Sequence, residues 1–174
     1  MTKTPADVTD SVRDPKRLDA LRETGLLDSP REYVFDRQTA KVKQDLNVQI
    51  SLISLIDEDR QFFKSTHGLP PEFADVRETP LGDSVCQFVV HEKATLALGD
   101  MREHPVHARH VAPGIEVLSY LGEPLTYSGE VIGSICAIDT KPRKWHHDEM
   151  ELLRARAEEV SREIDAYVRS KTSD

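Results

Sequence analysis

Apolar and polar positions divide the chain into segments of different period. Leu18, Leu21 and Leu26 recur as on a helix over Pro15–Leu27, with Gly25 near its end. Ser29-Pro30-Arg31-Glu32 reads as a capping box with proline at the first helical position, and Phe35, Thr39, Val42 and Leu46 continue that helix to about Leu46. From Val48 to Ile56 the chain is rich in β-formers and apolar on both faces, as a covered central strand would be. Asp57-Glu58-Asp59 makes a turn into a second strand, Gln61–Thr66, and Gly68–Pro80 is irregular. Ser84-Val85-Cys86-Gln87 predicts a second capping box and a short helix presenting Val85, Phe88 and Val89. A short strand at Thr95–Leu98 and a long histidine-bearing loop over Gly99–Gly114 follow. Val117–Tyr127 and Val131–Asp139 form a hairpin turned at Ser128-Gly129, and Asp148–Val168 is a long helix with acids in its first turn.

This order implies an α+β domain. Hairpins make a central antiparallel sheet, the N- and C-terminal helices pack on one face, and short helices and loops roof a pocket on the other. Residues 1–14 are expected to be a disordered lead-in, 15–170 a single domain and 171–174 a tail.

Composition narrows the class. The 174 residues are 38% hydrophobic and 31% charged, which is globular, and no apolar run reaches the ~20 residues of a membrane span. The first residues lack the features of a secretion signal, so a cytoplasmic location without a membrane partner is expected. A net charge of −8, with basic residues scattered among acids, argues against a nucleic-acid partner. Two cysteines without a CxxC pair exclude a zinc ribbon or a thioredoxin-type motif.

Arg17-Leu18, Gly25 to Pro30, Phe35-Asp36 and the run Ser54 to Ser65 together resemble the first half of a GAF domain. Asp83 to Cys86, Tyr120 to Leu125, Ile132 to Asp139 and Pro142-Arg143 extend the resemblance from about Arg17 to Ile164. It implies a PAS-like sheet with a ligand pocket, a sensory or regulatory role exercised through a signalling partner, and a homodimer through the terminal helices. Members bind cyclic nucleotides, bilins, haem, amino-acid-derived metabolites or nothing, so the cofactor stays unknown. The cyclic-nucleotide signature is absent, and Gln87 follows Cys86 where a bilin-binding cysteine is often followed by His.

Candidate ligand-binding residues are Cys86, Val90, His107, Tyr120 and Cys136, from the elements expected to border the cavity. Cys86, near a helix start, is either a reactive thiol or a small buried hydrophobe. Cys136 shares a strand face with Ile132, Ser134 and Ile138 as core or pocket wall. Both thiols are expected to approach the pocket, and a bridge between them would close a loop of about 50 residues, a stabilisation of roughly 4 kcal/mol. His104, His107 and His110 lack partners for a four-ligand metal set, so no metal is expected. Met150, Leu153, Ala157, Val160, Ile164 and Tyr167 form a heptad stripe that packs either on the domain itself or on a second copy. No catalytic residues are expected. The enzymatic alternative is reduction of free methionine sulfoxide by the cysteines. A third reading is a protein-interaction module whose pocket is filled by Phe62, Phe88 and Tyr120.

Overall fold

The computed structural model describes residues 5–172. Six strands form one antiparallel sheet in the order β3-β2-β1-β6-β5-β4. β1 (Ile50–Ile56) lies near the centre, and all seven of its residues are buried, which explains why its sequence is apolar on both faces. β2 (Arg60–His67) and β3 (Glu78–Pro80) extend the sheet on one side. β6 (Glu130–Asp139), β5 (Ser119–Tyr127) and β4 (Leu96–Leu98) extend it on the other. Ser128 and Gly129 both have positive φ, 53° and 80°, the tight turn that suits the twist of a two-residue hairpin.

The layers on the two faces have separate cores. On one side α2 (Pro15–Glu23), α3 (Tyr33–Leu46) and α6 (His147–Thr172) cover Ile53, Leu55, Leu121, Ile135 and Ala137. On the other, α4 (Cys86–Glu92) and α1 (Pro5–Val12) cover Leu52, Ile56, Phe63, Tyr120, Cys136 and Ile138. The chain between α4 and β5 completes this second layer with the four-residue α5 (Pro105–Ala108) and a 3-10 turn at Met101–Glu103.

Four sequence expectations change. The lead-in carries α1, whose Val8 and Val12 are 2% and 0% exposed against the α4 layer; Met1–Thr4 lie outside the described residues. Two apolar contacts in eight residues give no helical period to read, which is why this helix was hidden. Because α1 joins the roof, the N-terminal helices divide between the two faces. Neither capping box forms. α3 begins after Glu32 without a side-chain cap, while Ser29 Oγ donates to Leu26 O and accepts from Lys64 Nζ. α4 begins at Cys86, and Ser84 Oγ donates to Gln61 Oε1. In both places the hydroxyl serves a buried polar partner from β2 instead of an exposed amide.

Two irregular pairings re-aim side chains. Ile53 pairs with Ser65 and Ser54 with Phe63, so Lys64 is the extra residue of a bulge. Lys64 is wholly buried, donating to Ser29 Oγ, Pro30 O and Glu32 Oε1, with the Phe35 and Tyr167 rings beside it. Leu125 pairs with Gly133 and Thr126 with Val131, leaving Ile132 as the extra residue in β6. Ile132 therefore packs in the helix-layer core while Cys136 and Ile138 face the roof, contrary to the shared face expected.

The stripe on α6 is occupied within the chain. Leu153, Ala157, Val160 and Ile164 are buried in the helix-layer core, and Tyr167 packs edge-on against Phe35. Among the described residues, no helix is long and apolar enough to cross a membrane.

Candidate functional site

The roofed face carries a half-open apolar cavity of about 40 Å³. Leu52, Phe63, Tyr120 and Ile138 rise from the sheet, and Val85 and Cys86 close one side from the start of α4. Val111, Ala112, Ile115 and Val117 form the cover, while Gln61, Asp83 and His110 stand at its polar edge. This volume accommodates roughly two or three water molecules, whereas pockets for drug-sized ligands run to about 300–1,000 Å³.

Behind the cavity lies a compact group of hydroxyls and thiols. Tyr120 Oη donates to Cys86 Sγ at 3.0 Å and lies 3.5 Å from Ser134 Oγ. The Tyr120 ring reaches this position by lying along its own strand over Gly122, where an added Cβ would fall 2.5 Å from Oη and 2.7 Å from Cε1. Gly122 is the cross-strand partner of Cys136, so the phenol is carried directly toward that thiol. Cys86 and Cys136 are free and buried, and close enough to influence each other's ionisation. Ser54, paired with Ser134 across β1 and β6, is fully buried and its hydroxyl has no hydrogen-bond partner.

These contacts separate the two thiols chemically. The Cys136 thiol, joined by the hydroxyls of Tyr120, Ser54 and Ser134, pulls Cys86 down to about 7 against its burial. Burial pushes Cys136 and Tyr120 well up, so both keep their protons beside an ionised Cys86. The favoured thiolate is thus the one on the cavity wall.

Of the five residues chosen from sequence, Cys86 and Tyr120 line the cavity, and Cys136 stands directly behind it. Val90 is buried on α4 among the roof-layer core, away from the cavity lining. His107 packs on the outer side of Phe88 with ring centres 4.5 Å apart, and burial lowers its pKa. His110 is the histidine at the cavity; its Nδ1 lies 2.7 Å from Gly82 O. Of the three rings expected to fill the pocket, Tyr120 does so. Phe88 lies under His107 and His110, and Phe62 belongs to the helix-layer core. Ser54 was missed. It reads as an interior strand residue in sequence, and its importance depends on the register that sets it beside Ser134 and below α4.

Among the described residues, no group of three or more His, Cys, Asp or Glu side chains is arranged to hold a metal ion.

A six-stranded antiparallel sheet with helices behind and a small roofed cavity in front is the architecture of a GAF domain. The chain belongs to the GAF domain family, which matches residues 30–164. It is similar to the cyclic di-GMP phosphodiesterase PA2567 of Pseudomonas aeruginosa, 32% identical over 128 residues that make up 70% of this chain. The matched portion is 20% of that relative, so the likeness concerns a fifth of the larger protein. In structure the chain resembles the GAF domain of an Acinetobacter phosphoenolpyruvate-protein phosphotransferase. That likeness has a TM-score of 0.66 and 23% identity, and covers 88% of this chain and 95% of that one. It also resembles free methionine-R-sulfoxide reductase from Neisseria meningitidis, with a TM-score of 0.65, 18% identity and coverage of 88% and 91%. At these identities the two structures establish the fold.

Proposed function

We propose that this chain is a non-catalytic regulatory module of a signalling protein, whose output passes through the surface of the domain to a partner or a neighbouring domain. The observation that carries this reading is the size of the cavity. About 40 Å³ of apolar space, bounded on one side by the Tyr120 ring, is far smaller than a nucleotide, a bilin, a haem or methionine sulfoxide. The likeness to part of a larger phosphodiesterase supports a regulatory rather than a chemical role for a domain of this kind. Small-molecule input through this cavity is then restricted to species close to water in size.

The same observation weighs against the reductase alternative. Methionine sulfoxide has no room beside Cys86, and both thiols are at most 2% exposed. The test is a thermal-shift and native-mass survey of the reduced protein with cyclic di-GMP, cyclic AMP, haem, biliverdin and free methionine sulfoxide. A turnover assay with dithiothreitol accompanies the last compound. The expected result is no adduct, no rise in melting temperature and no methionine produced. Saturable stabilisation by any of these compounds, or methionine release, overturns the reading.

A further inference from the structure

The thiol and hydroxyl group behind the cavity performs no task in that reading, yet it has the parts of a reactive centre. Cys86 Sγ lies on the cavity wall and receives the Tyr120 hydroxyl at 3.0 Å. Ser54 Oγ, among the groups around the same sulfur, is buried without a hydrogen-bond partner. A buried orphan hydroxyl is costly unless something satisfies it, and a thiolate at Cys86 would accept its proton in a charge-assisted bond. The second thiol stands behind the phenol, since Cys136 is the cross-strand partner of Gly122, over which the Tyr120 hydroxyl reaches Cys86. The cavity matches an oxidant of about two waters in size.

We propose that Cys86 and Cys136 form a peroxide-reactive dithiol, in which hydrogen peroxide enters the small cavity, oxidises Cys86 and leaves an intramolecular Cys86–Cys136 disulfide. In the first step the Cys86 thiolate attacks one peroxide oxygen. An S–O bond forms, the O–O bond breaks, and hydroxide leaves as water with the proton that Cys86 had released. In the second step the Cys136 sulfur attacks the Cys86 sulfenic acid. An S–S bond forms, the S–O bond breaks, and the departing hydroxide takes the Cys136 proton. Two thiols lose two electrons, and one peroxide becomes two waters.

The lowered pKa of Cys86 favours its thiolate for the first step, and in the second Cys136 gives up its proton to the departing hydroxide as its sulfur attacks. Closing the bridge to the ~2.05 Å of an S–S bond fixes the start of α4 to the middle of β6. This chemistry goes beyond the regulatory reading and does not depend on which partner receives the output.

The full chain, reduced and then freed of reductant, is treated with a few equivalents of hydrogen peroxide. The products are quenched with N-ethylmaleimide and examined by intact mass and peptide mapping. The expected product is lighter by two hydrogens, has no titratable thiol, maps as a Cys86–Cys136 link within one chain, and reverts with dithiothreitol. Cys136→Ala is expected to stop at a Cys86 sulfenic acid trapped by dimedone, and Cys86→Ser to leave Cys136 unoxidised at the same dose. Ser54→Ala lowers the peroxide rate about tenfold at neutral pH, the loss of one hydrogen bond to a charged sulfur. It also moves the pH midpoint of the rate upward, a change that a purely structural role for Ser54 would not produce. Two free thiols after treatment, a bridge only between chains, or Cys86 sulfinic acid beside an untouched Cys136 each overturns the proposal. Such a failure leaves the ligand survey above unaffected, so the two readings fail separately.

Discussion

Two single residues, Gly122 and Lys64, owe their places to what lies next to them. Gly122 stands in a strand where glycine has no side chain to contribute, and its φ is not in the left-handed region. What it supplies is space for the Tyr120 phenol to lie over β5 and reach Cys86. Gly122→Ala is expected to cost about 2 kcal/mol, within the range for overpacking a filled core, and to displace the phenol from the sulfur. Urea denaturation reads the first effect, and an upward move in the pH midpoint of Cys86 alkylation reads the second. Lys64 is the other position. A lysine in a strand reads as solvent-facing, but the bulge turns it inward to Ser29, Pro30 and Glu32. Its pKa is lowered, first by burial, so over the interval from its folded value to its unfolded one the unfolded chain holds more protons. This group therefore makes stability rise with pH across that interval, up to the usual lysine value. Lys64→Met keeps most of the stem and loses three hydrogen bonds, at an expected cost of about 2 kcal/mol by thermal denaturation. The variant should also lose that share of the alkaline slope. Neither residue's role can be read from its own letter, because Gly122 serves the path of the Tyr120 ring along β5 and Lys64 is turned inward by the bulge in β2.

At the scale of elements, period and turn chemistry placed every strand except β3, and the three longer helices. The β-rich runs of β5 and β6, Ser128-Gly129 between them and the apolar spacing of α6 are local signals. They survive in the fold because the sheet uses them as written. The capping boxes were locally plausible and failed because Ser29 and Ser84 have tertiary partners, Lys64 and Gln61, that no local pattern reveals. α1 failed for the opposite reason, having too little pattern to be seen. Its place is fixed by long-range contacts. Arg17 Nη2 donates to Val12 O at 2.6 Å and Ile56 O at 2.7 Å, and Ser11 Oγ bonds His91 Nδ1 on α4. Burial lowers Arg17 to about 10, so the cation at the joint between α1 and α2 remains charged at neutral pH. The double variant Val8→Ala/Val12→Ala is expected to destabilise the protein by about 3 kcal/mol, from two truncated buried side chains. Hydrogen exchange should show the loss of protection first in α1 and α4, with α3 and α6 close to wild type. Equal loss in all helices would mean that α1 is not a separate part of the roof layer.

At the scale of the whole molecule, the sheet divides two layers of unequal firmness. The helix layer is held by long α3 and α6 and by Arg143, which donates to Leu46 O, Asn47 O, Asp139 and Glu149 and so ties α3, β6 and α6 together. The roof over residues 105–117 has a four-residue helix, no strand, and mostly half-buried apolar contacts through Val106, Val111, Ile115 and Val117. Few buried contacts mean a low free energy of local opening, whereas β1, covered on both faces, exchanges its amides only when the whole domain unfolds. That difference sets how Cys86 meets reagents of different size. Iodoacetamide is too large for a cavity of about 40 Å³, so its reaction must wait for the roof to open. The alkylation rate of Cys86 is therefore expected to track the exchange of the amides at 110–117, and to level off at high reagent where opening becomes limiting. Ala112→Gly, which removes a buried methyl of the cover and loosens its backbone, should raise both rates together while leaving β1 exchange nearly unchanged. Alkylation that instead follows β1 exchange would place the two layers in a single cooperative unit. The roof would then be as firm as the sheet beneath it, and access to Cys86 would require global unfolding.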